Sequence, residues 1–409
     1  MNKNFKICYL APQLTALEST FVYEELIALE CRGLTIVPMS VSRANKQVEG
    51  HENLVLRTLY LYEDKPLKTL LSSIGAVLRM KYNHKHGLQQ LFSDIWLVGL
   101  FGRQSYKLIY QYIVACRLAE VLVGQNCHHL HVHFAHVPTQ IGMYASALSS
   151  VPFTIMAHAN DIFERGLLLE RKASRAVKML TISEFNLNYL ESLGVPKSKL
   201  AVVRCGVSFP TFQKVYQRQR KTSYRIGTLA RLVEKKGIDD LLYALAELQN
   251  HSCQIVLSIA GDGPLRKELG SLVQKLGLLK FVSFEGSLDR REVTAWIRNL
   301  DVFVLACKKD SNGDMDGIPV VLMEAMSQSV PVISTNLSGI PELIIHGKTG
   351  LLSEPSNPKD LSEKIRRLID SPNLCVKLVN NAKNHVVDEF GQEVNVDRLL
   401  KYFDLPNSL

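Results

Sequence analysis

The chain has 409 residues, 46% hydrophobic and 21% charged, which is the balance of a soluble globular protein long enough for two domains with separate cores. No run of about 18 uncharged apolar residues occurs, which excludes a transmembrane helix candidate, and the eight cysteines are scattered without a C-x-x-C pair, so they read as reduced, mostly buried thiols. The net charge of +9 admits nucleic acid, anionic lipid or phosphorylated substrates as partners and does not choose among them.

The opening MNKNFKICYLAP lacks a small-residue cleavage site and reads as a first strand over 5–11 of a cytoplasmic protein. A loop and a helix over 18–31 follow, then strands over 34–41, 129–134, 153–158, 178–183 and 200–205, with helices over 104–123 and 184–193. Residues 66–125 are rich in Leu, Ile, Tyr, Lys and Arg. They read either as an amphipathic basic face resting on anionic lipid or as helical core with a solvated rim. The second half repeats the rhythm, with strands near 224–230, 254–260, 281–284, 301–306 and 330–334 and helices over 237–249, 264–276, 289–299 and 319–329. Such alternation predicts parallel sheets covered on both faces by helices, in two Rossmann-like domains over 1–205 and 224–385. The linker, 206–223, is placed where GVSFPTF leads into the polar, basic QKVYQRQRKTS.

In such sheets ligands bind beyond the carboxyl ends of the strands, where the chemistry-bearing motifs fall. The most informative runs from Asp314 to Glu342, DMDGIPVVLMEAMSQSVPVISTNLSGIPE. Pro319 suits the first position of a helix, which leaves the amides of Val320, Val321 and Leu322 as free donors at a positive helix end. Glu324, one turn on, reaches a group attached to an anion bound there. The plainer reading is a buried amphipathic helix whose N-terminus Asp316 stabilises. Arg231 and Lys236, in TLARLVEKKGID after the second half's first strand, are cations fit to neutralise a phosphate leaving group or simply part of a solvated loop. IAGDGP, with Gly261 and Gly263, ends a strand and opens a helix by a tight turn. HHLHVHFAH (128–136) sets histidines on one strand face, but no acid or cysteine pattern completes a metal site there.

The pattern acid–Gly–x–Pro, Glu-Ala-Met, Pro-Val and Gly-x-Pro-Glu in 316–342 resembles the donor site of glycosyltransferase family four, retaining enzymes of the GT-B fold. The resemblance covers nearly the whole chain, most weakly over 42–125. It implies an α/β GT-B architecture, two Rossmann-like domains with parallel sheets facing an interdomain cleft, and a last helix (386–409) crossing back to the first domain. Arg231 and Lys236 match the family's Arg-x4-Lys-Gly and would hold a diphosphate, aided by Gly261, Gly263, Gly317, Ile318, Val320 and Val321. Lys235 is left as a bystander. The FEG of 284–286 would lie beside the nucleobase and Glu324 would bind the ribose. Asp316, where the family usually has Glu, and His158, in a match to His-Ala-x-Asp-Ile-Phe, would be the catalytic pair on the donor sugar. Thr15 and Glu18, in the loop after the first strand that lacks the glycine pair many relatives carry, and Asp161, in the His-Ala-x-Asp-Ile-Phe match, are the acceptor-side candidates.

The class implies no metal and no cofactor. The implied activity is transfer of a hexose from a nucleoside diphosphate sugar to a polyprenyl-linked or oligosaccharide acceptor, as in bacterial exopolysaccharide and colanic-acid-type transferases. A peripheral place on the inner face of the plasma membrane follows from the anionic-surface reading of 66–125. A nucleotide-sugar-binding subunit without catalysis and a GT-B epimerase are the alternatives. Nucleic acid is not expected, since no basic–aromatic motif or fold signature supports it.

Overall fold

The computed structural model describes residues 5–16, 20–44, 51–63, 65–79, 84–208, 221–250 and 252–403. Glu18, Lys81 and most of the 206–223 linker lie outside them. The chain forms two compact units. The first comprises Met1–Ile182, Asn186–Gly206 and Gln392–Leu409, and the second Ser183–Phe185 and Val207–Gly391.

The first unit is built on seven parallel strands: β1 (Lys6–Ala11), β2 (Thr35–Ser40), β3 (Leu59–Tyr60), β4 (His129–His133), β5 (Phe153–Ala157), β6 (Met179–Thr181) and β7 (Leu200–Val202). Their order across the sheet is β3-β2-β1-β4-β5-β6-β7. Because side chains alternate along a strand and helices cover both faces, the strands are apolar almost throughout. Cys8 and Leu10 enter one core with Leu130, Val132, Phe153 and Ile155. Ile7, Tyr9 and Ala11 enter the other with Met156, Leu180, Val396 and Leu399. Helices Arg103–Gly124 and Val137–Ser149 supply the first core, and Thr20–Cys31 and Gln392–Leu400 the second. Arg32 ties the last helix down by ion pairs to Glu393 and to Asp397, the latter at 2.6 Å.

The second unit has six parallel strands: β8 (Ser223–Leu229), β9 (Gln254–Ala260), β10 (Val282–Gly286), β11 (Val302–Val304), β12 (Val332–Thr335) and β13 (Leu351–Ser353). They lie in the order β10-β9-β8-β11-β12-β13. Tyr224, Ile226, Val302 and Val304 face a core with helices Ile238–Glu247 and Pro358–Asp370. Phe303, Leu305 and Val332 face a second core with Val320–Ser327 and Pro372–Phe390.

Several elements depart from the expected ones. Helices Pro66–Arg79 and His84–Val98 resolve the 66–125 region into separate elements, whereas helix Val137–Ser149 and the short strands β3 and β13 carry no clear period, the helix because it is buried nearly all round and the strands because they are very short. Pro319 is the N-cap of its helix, with an extended ψ of 123°, and Val320 takes the first helical position. Among the described residues, no helix is long and apolar enough to cross a membrane.

Candidate active site

In the second sheet β8 and β11 are neighbours, and the chain leaves them toward opposite edges. This is the switch point of an open parallel sheet, where the loops beyond the carboxyl ends part and leave room for a ligand. The loop after β8 carries Arg231, Lys235 and Lys236, and the loop after β11 carries Cys307, Asp314 and Asp316. The two loops meet through charge. Lys236 Nζ lies 2.6 Å from Asp316 Oδ2, and Lys235 Nζ lies 2.7 Å from Asp314 Oδ2 and 3.6 Å from Asp316 Oδ1. The Cys307 thiol donates to Asp316 Oδ2 at 3.3 Å.

Burial pushes Asp316 toward its neutral form, yet the Lys236 and Lys235 ammonium groups outweigh it and hold the carboxyl below its usual range. Lys236 answers in the opposite sense: burial lowers it, the Asp316 charge prevails, and its affinity for the proton rises. An ammonium with one N–H on Asp316 retains two further donors. Arg231 is exposed, and among the described residues its side chain makes no ion pair.

Backbone geometry explains why glycines occupy this loop cluster. Gly261 sits at φ 113°, and a Cβ there would overlap the Ala230 carbonyl oxygen; one at Gly263 would lie 2.6 Å from the Leu232 carbonyl oxygen. The GDGP turn therefore packs flat against 230–232 and sets where Arg231 leaves the sheet. The Leu232 amide donates to the Asp262 carbonyl at 3.0 Å and Leu265 to Leu232 at 3.1 Å, which locks the two loops together. At the helix after β11, the Leu322 amide donates to the Pro319 carbonyl at 3.1 Å. That corrects the expectation of three free amides: Val320 and Val321 remain as the leading donors of a positive helix end. The buried side chain of Ile318 and the half-buried ones of Val320 and Val321 pack into the unit's second core, so these residues offer a ligand only their backbone, beside the buried Gly317. Glu324 is half-buried in the second turn.

In the first unit, His158 follows β5 and caps the short helix Ala159–Phe163. Only 6% of it is exposed. Asp161 Oδ1 accepts from the His158 amide at 2.9 Å, and Oδ2 accepts from the Ala135 amide. Burial pushes Asp161 up to about 7, and it pushes the fully buried Lys172, which donates to the Ala135 and Leu167 carbonyls, down to about 7. Asp161 thus shapes the backbone around His158, and among the described residues both of its oxygens are engaged. Thr15 is 2% exposed.

The histidines of β4 are buried on one face, and here the structure supplies what the local sequence lacked. Glu25, from helix Thr20–Cys31, lies 3.1 Å from His133 Nε2 and 3.5 Å from His131 Nε2. No local spacing announces this acid, because Glu25 is 108 positions from His133 and on another element.

A family model described as "Glycosyl transferases group 1" matches residues 211–385, the region that holds the charged loops and the helix after β11. A protein of Escherichia coli (strain K12), named as the colanic acid biosynthesis glycosyltransferase WcaL, is 33% identical over 397 residues, covering 92% of this chain and 93% of its own. The chain belongs to the group 1 glycosyl transferases. The amylovoran biosynthesis glycosyltransferase AmsK of Erwinia amylovora is 27% identical across 98% of this chain and 99% of its own. Among solved structures, a glycosyltransferase from Rickettsia africae superposes with a TM-score of 0.72 at 17% identity, covering 99% of each chain. Anabaena HepE, solved in complex with UDP, superposes at 0.70 and 15% identity over 97% of this chain and 99% of its own. These likenesses establish the GT-B fold.

Within this glycosyltransferase, Lys236, Asp316 and the start of the helix at Val320 converge on one switch point. Lys235, set aside as a bystander, is an ion-pair member there. The alternation Asp314, Asp316 opposite the adjacent Lys235 and Lys236 was the available signal, since two acids two apart in an extended loop can meet two neighbouring lysines.

Proposed function

We propose that this group 1 glycosyl transferase moves a hexose from a nucleoside diphosphate sugar, with retention at the anomeric carbon and without a metal, to a lipid-linked or saccharide acceptor in surface polysaccharide synthesis. The observation that carries the reading is the Lys236–Asp316 pair at the β8/β11 switch point, beside the helix end at Val320. A departing diphosphate would meet the free donors of Lys236, the exposed Arg231 and the Val320 and Val321 amides, all preorganised where its charge grows. Asp316 would keep Lys236 charged and address the donor sugar, and His158 is the first unit's own candidate for a sugar contact. Glu324 would bind the ribose. Asp316 and Glu324 are read as polar contacts rather than nucleophiles, which accords with retention on one face of the sugar. The names of WcaL and AmsK support a polysaccharide product, and the UDP complex of HepE supports a nucleotide-linked donor.

The surface of the first unit supports an acceptor at a membrane. Leu67, Leu71, Phe92, Trp96, Phe101 and Tyr106 are all exposed, Trp96 by 74% and Phe101 by 87%, on and between helices Pro66–Arg79, His84–Val98 and Arg103–Gly124. Apolar exposure on this scale marks an interaction surface, and aromatic rings beside Lys85, Arg103 and Lys107 suit an anionic bilayer. Two other cations of this region are engaged: Arg79 pairs with Glu120 at 2.7 Å and Lys68 with Glu63 at 3.6 Å. The apolar side chains therefore carry more of this surface than the sequence suggested. On this reading the enzyme works peripherally on the cytoplasmic face.

A thermal-shift panel of UDP-, GDP- and ADP-sugars, followed by NMR of the product's anomeric proton, tests the proposal. One base should raise Tm in a concentration-dependent way, and the product should keep the donor's anomeric configuration. If no nucleotide sugar shifts Tm, or if the product is inverted, the reading fails.

A further inference from the structure

Behind His158 runs an unbroken line of buried polar side chains. His133 Nδ1 lies 3.3 Å from His158 Nε2, and the two rings stack at 5.5 Å with 22° between their planes. The other face of His133 meets Glu25: Nε2 is 3.1 Å from Oε1 and 2.6 Å from Tyr9 Oη. Tyr9 itself donates to the Val22 carbonyl at 2.8 Å or to Glu25 at 3.0 Å. Thr154 Oγ1 lies 2.8 Å from His131 Nδ1 and 2.9 Å from His129 Nε2. If the hydroxyl donates to His131 and accepts from His129, the His131 proton sits on Nε2, facing Glu25 at 3.5 Å. Among the described residues no lysine or arginine pairs with Glu25, so the groups that answer this mostly buried carboxylate are the Tyr9 hydroxyl and the His131 and His133 imidazoles.

We propose that Glu25 and His133 are positioning residues that hold His158 through one shared proton, so that a carboxylate two side chains away sets its ring orientation and tautomer. The groups facing the line are Tyr9 from β1, Glu25 from helix Thr20–Cys31, His131 from β4, His136 ahead of helix Val137–Ser149, and Cys205 beyond β7. Burial pushes Tyr9 and Cys205 up, which keeps both neutral. It pushes Glu25 up as well, but the charges and hydrogen bonds of His133 and His131 prevail and hold that carboxyl well below its usual range. Phe21 and Phe134 close the apolar side of His158 at 5.0 and 4.6 Å. When His133 carries its proton on Nε2, Nδ1 accepts from His158. When His133 gains a second proton, His158 must turn its Nε2 lone pair inward and move its own proton to Nδ1. The catalytic consequence rests on the reading of His158 as a donor-sugar contact, whereas the relay does not.

The test is a 15N-histidine NMR titration of the full chain between about pH 4 and 9. The rings of His133 and His158 should change at one midpoint, and Glu25→Gln should lower that midpoint by about one unit or more, because the anion no longer favours an imidazolium. Glu25→Asp should recover part of the shift. Separate midpoints in the unsubstituted protein, no titration of either ring, or an unmoved midpoint in Glu25→Gln overturns the relay. So does elemental analysis that finds a stoichiometric metal ion lost with Glu25→Gln, since its ligand nitrogens would carry no shared proton. A linked titration upholds the relay even if no UDP-, GDP- or ADP-sugar is turned over, an outcome that counts against the transferase reading alone.

Discussion

At the scale of the residue, the buried Lys236–Asp316 pair changes what a substitution there should do. Both side chains are mostly out of water, so removing Lys236 leaves Asp316 only the longer contact to Lys235 at 3.6 Å, at a cost below the about 3–5 kcal/mol of a fully stranded buried charge. Lys236→Ala should therefore lose stability as well as turnover, which a lysine of a plain solvated loop would not. Arg231, exposed and without an ion pair among the described residues, should separate the two effects: Arg231→Ala should cut turnover by about 100-fold or more while urea unfolding stays unchanged. Equal destabilisation by both would refute the division. The histidines give a pH dependence with a definite sign. Burial holds His129 down to about 3 and His136 down to about 4, below the ordinary imidazole value of about 6.5. As pH falls below about 6.5 the unfolded chain takes up protons that the folded chain refuses, so stability is lost as acidity rises. Each unit costs about 1.4 kcal/mol per histidine. His129→Leu should flatten the loss between about pH 6.5 and 4.5 by up to roughly 2–3 kcal/mol, read from denaturant midpoints of the first unit's transition.

Elements act here through the turns that end them. Gly261 and Gly277 both adopt positive φ, 113° and 71°, but only Gly261 abuts another backbone, while Gly277 faces open space. Gly277→Ala should therefore cost about 1–2 kcal/mol, the conformational penalty alone. Gly261→Ala should cost more, and it should also weaken nucleotide binding by displacing the 230–232 loop that aims Arg231. Calorimetry showing unaltered nucleotide affinity in a folded Gly261→Ala protein would dismiss that bracing role. The strands behind these turns were largely legible, because a buried parallel strand announces itself as a short apolar run. Helix Val137–Ser149 was not, since a helix buried all round has no polar stripe to mark its period.

For the whole molecule the open question is where it works, and the exposed aromatic surface makes that testable. Flotation with anionic liposomes should retain the protein, and salt should release it only in part, because apolar contacts outlast screened charges. Replacing Phe92, Trp96 and Phe101 with Ser should abolish flotation while transfer to a soluble acceptor analogue continues. Full release by salt, or flotation undiminished by the triple replacement, would return the surface to electrostatics or to another partner.

The sequence by itself determined the alternating strand and helix rhythm, the parallel-sheet class, and the family, because a motif such as DGIPVVLMEAM needs its glycine, proline and acid at set distances along the chain. It also placed Lys236 and Asp316 at strand ends, where ligands bind. Only the tertiary structure decided which charges meet: Lys235 with Asp314, Lys236 with Asp316, and Glu25 with His131 and His133. Each of those partnerships joins elements far apart in the chain. Strand order and helix packing create them, and neither leaves a local spacing to be read.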